Sequence, residues 1–125
     1  MTQEEKELLL KDLSARLPYG VWVNFRGSIE ALHEVHIYQS VQTIVGISGI
    51  LYDVDMPNIK PYLRPMSSMT EDEENEYNSL NAYEKGIFPH TEEAFDWLNA
   101  HHFDYRGLIE KGLALEAKEW MCKTE

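Results

Sequence analysis

Five histidines, an acidic run and two small polar clusters are the parts of this 125-residue sequence whose types could do chemistry. His33-Glu34-Val35-His36 comes first. Two imidazoles around a carboxylate suggest a metal site, but the zincin pattern needs histidines four apart on one helical face. Here they are three apart in a stretch that reads as a strand, which sends them to opposite faces unless a bulge intervenes. Exposed strand polars are the expectation. His101 and His102 follow a helical pattern, and neighbours on a helix diverge by about 100°. One is expected to turn inward and the other toward water, near the negative end of the helix dipole. A ligand set with His90 and Asp104 is the alternative.

Glu71, Asp72, Glu73, Glu74 and Glu76 make the densest charge in the chain. They lack the alternating spacing and glycine of a calcium loop. Consecutive carboxylates at a helix start favour the positive end of the dipole and form a solvated face. Asp104-Tyr105-Arg106-Gly107 is the most informative polar cluster. Asp104 or Tyr105 is expected to cap a following helix, and Arg106 to pair with a carboxylate across the fold. Lys60, Tyr62 and Arg64 alternate along a proline-rich segment, which places them on one side. They form a basic strip suited to an acidic partner or to the chain's own acidic helix, with intramolecular pairing the main expectation.

Lys60, Tyr62, Arg64, Asp104, Tyr105 and Arg106 are therefore the candidate interaction residues. No catalytic residue, metal ligand or cofactor is assigned. Ser67 and Ser68 lack a base nearby in sequence and suit a turn. The sequence holds no glycine-rich phosphate loop and no nucleophile elbow. Cys122 is the single cysteine, so an internal disulfide is excluded.

The elements that must position these residues follow from the pattern. Thr2 with Glu5 predicts a capping box for a helix over 3–16, with Leu9, Leu10, Leu13 and Leu17 at core spacing and Pro18 as its stop. Residues 20–54 alternate like strands: Val21, Val23 and Phe25; Val35 and Ile37; Val41 to Ile47; Ile50, Tyr52 and Val54. Turns are expected at Gly27-Ser28, Gln39-Ser40 and Ser48-Gly49, and residues 29–34 have a helical turn as the alternative. Pro57, Pro61 and Pro65 predict an extended connector anchored by Ile59, Tyr62 and Leu63. Thr70 with Glu73 predicts a second capping box and a helix over 70–84, stopped by Gly86, with Tyr77, Leu80 and Tyr83 inward. Thr91 caps a third helix with Ala94, Phe95, Trp97 and Leu98 on its apolar side. A bend at 103–105 and a short final helix over 106–115 complete the chain, with Leu108, Ile109 and Leu113 inward.

This gives one α+β domain over 1–125: a small antiparallel sheet of about four strands, open or partly closed into a barrel, packed by an N-terminal helix and a C-terminal helical region. The net charge is −11. It is uneven: 8 acids against 6 bases over residues 1–65 give −2, and 14 against 5 over 66–125 give −9. That balance disfavours nucleic-acid and anionic-membrane partners. The acidic start MTQEEKELLL is not a signal peptide, and no stretch approaches a membrane span. A soluble, cytoplasmic protein is expected.

The stretch IKPYLRPMSSMTEDEENEY (59–77), followed by FDWLNAHHFDYRGLIEKGLALEA (95–117), resembles a family of short uncharacterised proteins encoded in gut Bacteroidetes genomes and their phages or prophages. KDLSARLPYGV (11–21) matches the usual opening of that family. The resemblance implies a cytoplasmic protein of mobile or phage-derived DNA and carries over no catalytic residue. The expected function is a non-enzymatic accessory or protein-interaction role, with a homo-oligomer left open and Trp22, Tyr38 and Trp120 as residues that would mark its interface. The alternatives are a small-molecule- or metal-binding domain or enzyme using His33, His36, His101 or His102, and an acidic decoy that mimics DNA.

Overall fold

The computed structural model describes residues 2–38, 42–47, 50–53, 59–80, 89 and 91–118. The expected turns at Gln39-Ser40 and Ser48-Gly49, the end of a strand at Val54, Pro57, Tyr83, Gly86, His90, Trp120 and Cys122 lie outside the described residues, as do the side chains of His36 and Tyr38.

Helix α1 spans Gln3–Arg16. Its capping box is complete: the Glu5 N–H donates to Thr2 Oγ1 at 3.1 Å, and the Thr2 N–H donates to Glu5 Oε1 at 2.8 Å. Two of the orphan N–H groups of the first turn are thereby satisfied. The buried stripe is Leu9, Asp12, Leu13 and Arg16, the i, i+3, i+4, i+7 face of one helix. Leu17 packs against the core as expected, whereas Leu10 is half-buried. A 3₁₀ turn over Leu17–Tyr19 with Pro18 inside it ends the helix.

Strands β1 (Trp22–Phe25), β2 (Ser28–Tyr38), β3 (Gln42–Ile47) and β4 (Ile50–Asp53) form the expected antiparallel meander. The hairpin turn is Arg26-Gly27, one residue earlier than the sequence suggests, with φ of 52° and 84°. Two positive φ values are what a tight two-residue hairpin loop requires, and Gly27 supplies one at no steric cost. Residues 29–34 are strand, not helix. Within β2 the register slips by one: Leu32 faces Ile47 but Glu34 faces Gly46. This is a β-bulge, and it reverses which face the following residues occupy.

The proline segment is a fifth strand, β5 (Lys60–Leu63), pairing antiparallel with β1. Short β6 (Leu115–Glu116) adds to it in parallel. Among the described residues the sheet has six strands in the order β4-β3-β2-β1-β5-β6, open rather than closed into a barrel.

Helix α2 (Glu71–Leu80) and helix α3 (Glu92–Ala100) follow the expected caps. Thr91 ties the two together. Its hydroxyl accepts the Ala94 N–H at 3.1 Å and donates to the Leu80 carbonyl at 2.6 Å. Phe95, expected to face inward, is instead exposed, its edge against the Tyr105 ring. The final helix over 106–115 does not form. Residues 105–112 make successive turns, with Gly107 and Gly112 at φ of 74° and 75°. Left-handed backbone at both positions interrupts a right-handed helix.

The apolar residues gather in two clusters. One packs Leu9 and Leu13 of α1 against Val21, Val23, Leu32, Ile59, Leu63, Leu108 and Leu113. The other packs Tyr77 of α2 with Ala94, Trp97 and Leu98 of α3 and with Phe103. Burying each such side chain contributes roughly 1.5–3 kcal/mol. No helix among the described residues is long and apolar enough to cross a membrane.

Candidate functional site

Four of the polar residues that sequence patterning singled out, Arg64, Asp104, Tyr105 and Arg106, converge on the seam between these two clusters. The seam forms where residues 102–104 run alongside the end of β5. The Arg64 N–H donates to the His102 carbonyl at 2.7 Å, and the Asp104 N–H donates to the Arg64 carbonyl at 2.8 Å. That parallel bridge holds Phe103 against the sheet.

Two arginines close the seam from opposite sides. Arg16 enters from α1, fully buried. Its Nε donates to Asp12 Oδ2 at 2.9 Å and its Nη2 to the Phe103 carbonyl at 2.5 Å. Among the described residues its Nη1 is buried without a hydrogen-bond partner, as is Trp97 Nε1. Arg64 enters from the end of β5. It lies over the Phe103 ring at 4.1 Å and forks Glu73 of α2, with Nη1 and Nη2 donating to Oε2 and Oε1 at 2.8 and 2.7 Å. A bidentate guanidinium–carboxylate pair fixes orientation as well as distance.

Glu73 also serves the helix cap. Its Oε1 accepts the Thr70 N–H at 3.0 Å, while the Glu73 N–H donates to Thr70 Oγ1 at 3.2 Å. The hydrogen bonds from Arg64, followed by those of the cap, hold the Glu73 carboxyl down at about 2.

Arg106 completes the frame. Its Nη1 donates to Asp12 Oδ1 at 2.9 Å, the pairing across the fold that its sequence context suggested, and its guanidinium lies 4.5 Å from the Tyr105 ring centre. Asp104 caps as expected, but the segment it caps is a turn: its two oxygens accept the Leu108 and Ile109 N–H groups at 2.8 and 2.9 Å. Tyr105 donates its hydroxyl to Asn99 Oδ1 at 3.1 Å. Tyr62 lies apart from this frame and accepts a hydrogen bond from Asn24 Nδ2 at 3.1 Å. Lys60 is half-buried opposite Asn24. The structure therefore brings Arg64, Asp104, Tyr105 and Arg106 together and leaves Lys60 and Tyr62 on the sheet.

The three histidine side chains among the described residues lie in three places. His33 is exposed at the β2 bulge. His101 lies against Trp97 with ring centres 4.2 Å apart and ring planes tilted by 32°. His102 is half-buried with a left-handed backbone, φ 64°. Desolvation first, then the positive charges of Arg16, His101 and Arg64, push its imidazole down to about 4. Among the described residues, no three His, Cys, Asp or Glu side chains gather as metal ligands.

No family model, curated protein or solved structure matches this chain. The reading of the seam therefore rests on its geometry. Both oxygens of Asp12 and both of Asp104 are engaged, and Glu73 is forked by Arg64. These carboxylates act as anchors, and the guanidiniums tie α1, β5 and α2 to one crossing segment. Sequence reasoning missed Asp12, Arg16 and Asn99. The available signal was spacing: Asp12 and Arg16 occupy the same helical stripe as Leu9 and Leu13, so both had to face the core.

Proposed function

We propose that this chain is a small non-enzymatic interaction protein that engages a protein partner through the aromatic surface at the start of β1. The observation carrying this reading is a division of labour. The charged side chains best suited to chemistry are committed to one another inside the fold, while Tyr19 and Trp22, flanking Gly20, are among the exposed large apolar side chains. Tryptophan and tyrosine are the residue types most enriched in protein recognition, because each combines a large apolar area with a polar edge. The resemblance of 59–77 and 95–117 to short proteins of gut Bacteroidetes and their phages supports an accessory role in mobile or phage-derived DNA. The packing of His101 against the Trp97 ring favours this reading over one in which it binds a ligand.

The test is affinity capture from host lysate with the full chain and its Trp22→Ala variant, both first shown to unfold cooperatively. One protein should be recovered reproducibly with the wild type and lost with the variant. Background recovery alone, or equal recovery by the variant, would remove this reading.

A further inference from the structure

We propose that Met66 and Met69 are an oxidation site, at which a peroxide loosens the start of α2. The pair sits on the 3₁₀ turn Met66–Ser68, which joins β5 to α2. The Ser68 N–H donates to the Pro65 carbonyl at 2.9 Å and the Met69 N–H to the Met66 carbonyl at 3.2 Å. Residues three apart across such a turn project to the same side. Both methionines pack against the cluster of α2 and α3 whose buried members include the rings of Tyr77, Trp97 and Phe103. Both are half-buried, so part of each residue faces solvent. A reagent as small as a peroxide therefore meets two thioethers that the fold uses as packing.

The chemistry is transfer of one oxygen atom. A sulfur lone pair attacks hydrogen peroxide, and the S–O bond forms as the O–O bond breaks. Sulfur is oxidised by two electrons, and the remaining oxygen leaves with both hydrogens as water. A flexible, apolar thioether becomes a polar sulfoxide. Beside aromatic rings the new oxygen has to turn toward water, and the turn moves with it. That turn is tied to the helix it precedes. Arg64 Nη2 donates to the Ser68 carbonyl at 3.4 Å and to Glu73 Oε1 at 2.7 Å, and Glu73 closes the α2 cap with Thr70. Displacing Met66 and Met69 pulls on this grip and opens the first turn of α2, where the Glu74 N–H donates to the Thr70 carbonyl at 2.8 Å. Reduction of the sulfoxides closes it again.

The experiment treats the full chain with hydrogen peroxide, locates the added oxygen by peptide mass mapping and reads amide hydrogen exchange at Met69 and Glu74. Oxidation of both sulfurs should lower protection at the two amides on the order of tenfold, and methionine sulfoxide reductase should restore it. The Met66→Leu, Met69→Leu double variant conserves volume and keeps Met1, Met56 and Met121. It should hold its protection through the same treatment. Equal losses in wild type and variant would overturn the proposal. So would undiminished protection in the oxidised wild type, or Met66 and Met69 left intact once Met1 is fully converted. Should the variant fail to fold, the reductase decides on the wild type. Protection regained as oxygen leaves residues 66 and 69 upholds the site, and a lasting loss overturns it.

Discussion

Asp12 and Arg106 stand 94 residues apart in sequence and meet at 2.9 Å, closing the fold between its first helix and the last turns of the described chain. Arg106 is partly exposed, whereas Asp12 is fully buried. Removing Arg106 leaves Asp12 still neutralised by Arg16. Arg106→Ala should therefore cost only about 1–2 kcal/mol, from one charge-assisted hydrogen bond and the packing over Tyr105. Equilibrium urea unfolding checks this as a modest fall in midpoint with an unchanged slope.

Glu73 gives the fold a dependence on acid. Its carboxyl lies at about 2 in the native state against 4.5 unperturbed. The folded value is depressed, so the contribution is fully present above 4.5 and is lost as pH falls toward 2. Solvent reaches the pair, which reduces its worth to about 1–2 kcal/mol. Glu73→Gln should be less stable than wild type by that amount at pH 7. The two unfolding midpoints should converge as pH approaches 2, and a gap that stays constant with pH would show that the Arg64 pairing contributes nothing.

Gly46 sits directly beneath the Glu34 side chain. A Cβ built at Gly46 would fall 2.9 Å from Glu34 Cβ and 2.8 Å from Glu34 Oε2. The carboxylate could swing away, but the Cβ moves only with the strand. Gly46→Ala should cost about 1–3 kcal/mol, as overpacking does, and a thermal melt would register it. An unchanged melting temperature would mean that the bulged strand yields freely.

The Thr70 cap sits on the same carboxylate that Arg64 grips. Thr70→Ala removes the acceptor for the Glu73 N–H and should cost about 1 kcal/mol. Because Glu73 belongs to both interactions, Thr70→Ala and Arg64→Ala should be non-additive in a double-mutant cycle. Strict additivity would show the two to be independent.

What the sequence disclosed was local. The caps at Thr2, Thr70 and Thr91, the stripe of α1 and the four-strand meander depend on neighbours within a few residues, and pattern reading located them. Three features needed more. β2 breaks its alternation at Leu32-His33 because a bulge shifts the phase, and such a break resembles the end of a strand. The proline segment joins the sheet because only Pro61 falls inside β5, where it stands opposite Val23 of β1, so the general disfavour of proline in strands misleads there. Residues 106–115 carry helix-forming side chains, yet Gly107 and Gly112 take left-handed backbone, through which a right-handed helix does not continue. The seam itself is tertiary. Arg106 showed by its setting that it needed a carboxylate, but nothing local named Asp12 as that carboxylate.

The charged seam is structural, with Asp12 neutralising a buried Arg16. The most direct measurement is the unfolding free energy of Asp12→Asn against wild type in urea at pH 7. Loss of this carboxylate leaves Arg16 buried and unpaired, and the stability should fall by about 3–5 kcal/mol. A variant as stable as the wild type would show that Asp12 does not neutralise Arg16 in the fold.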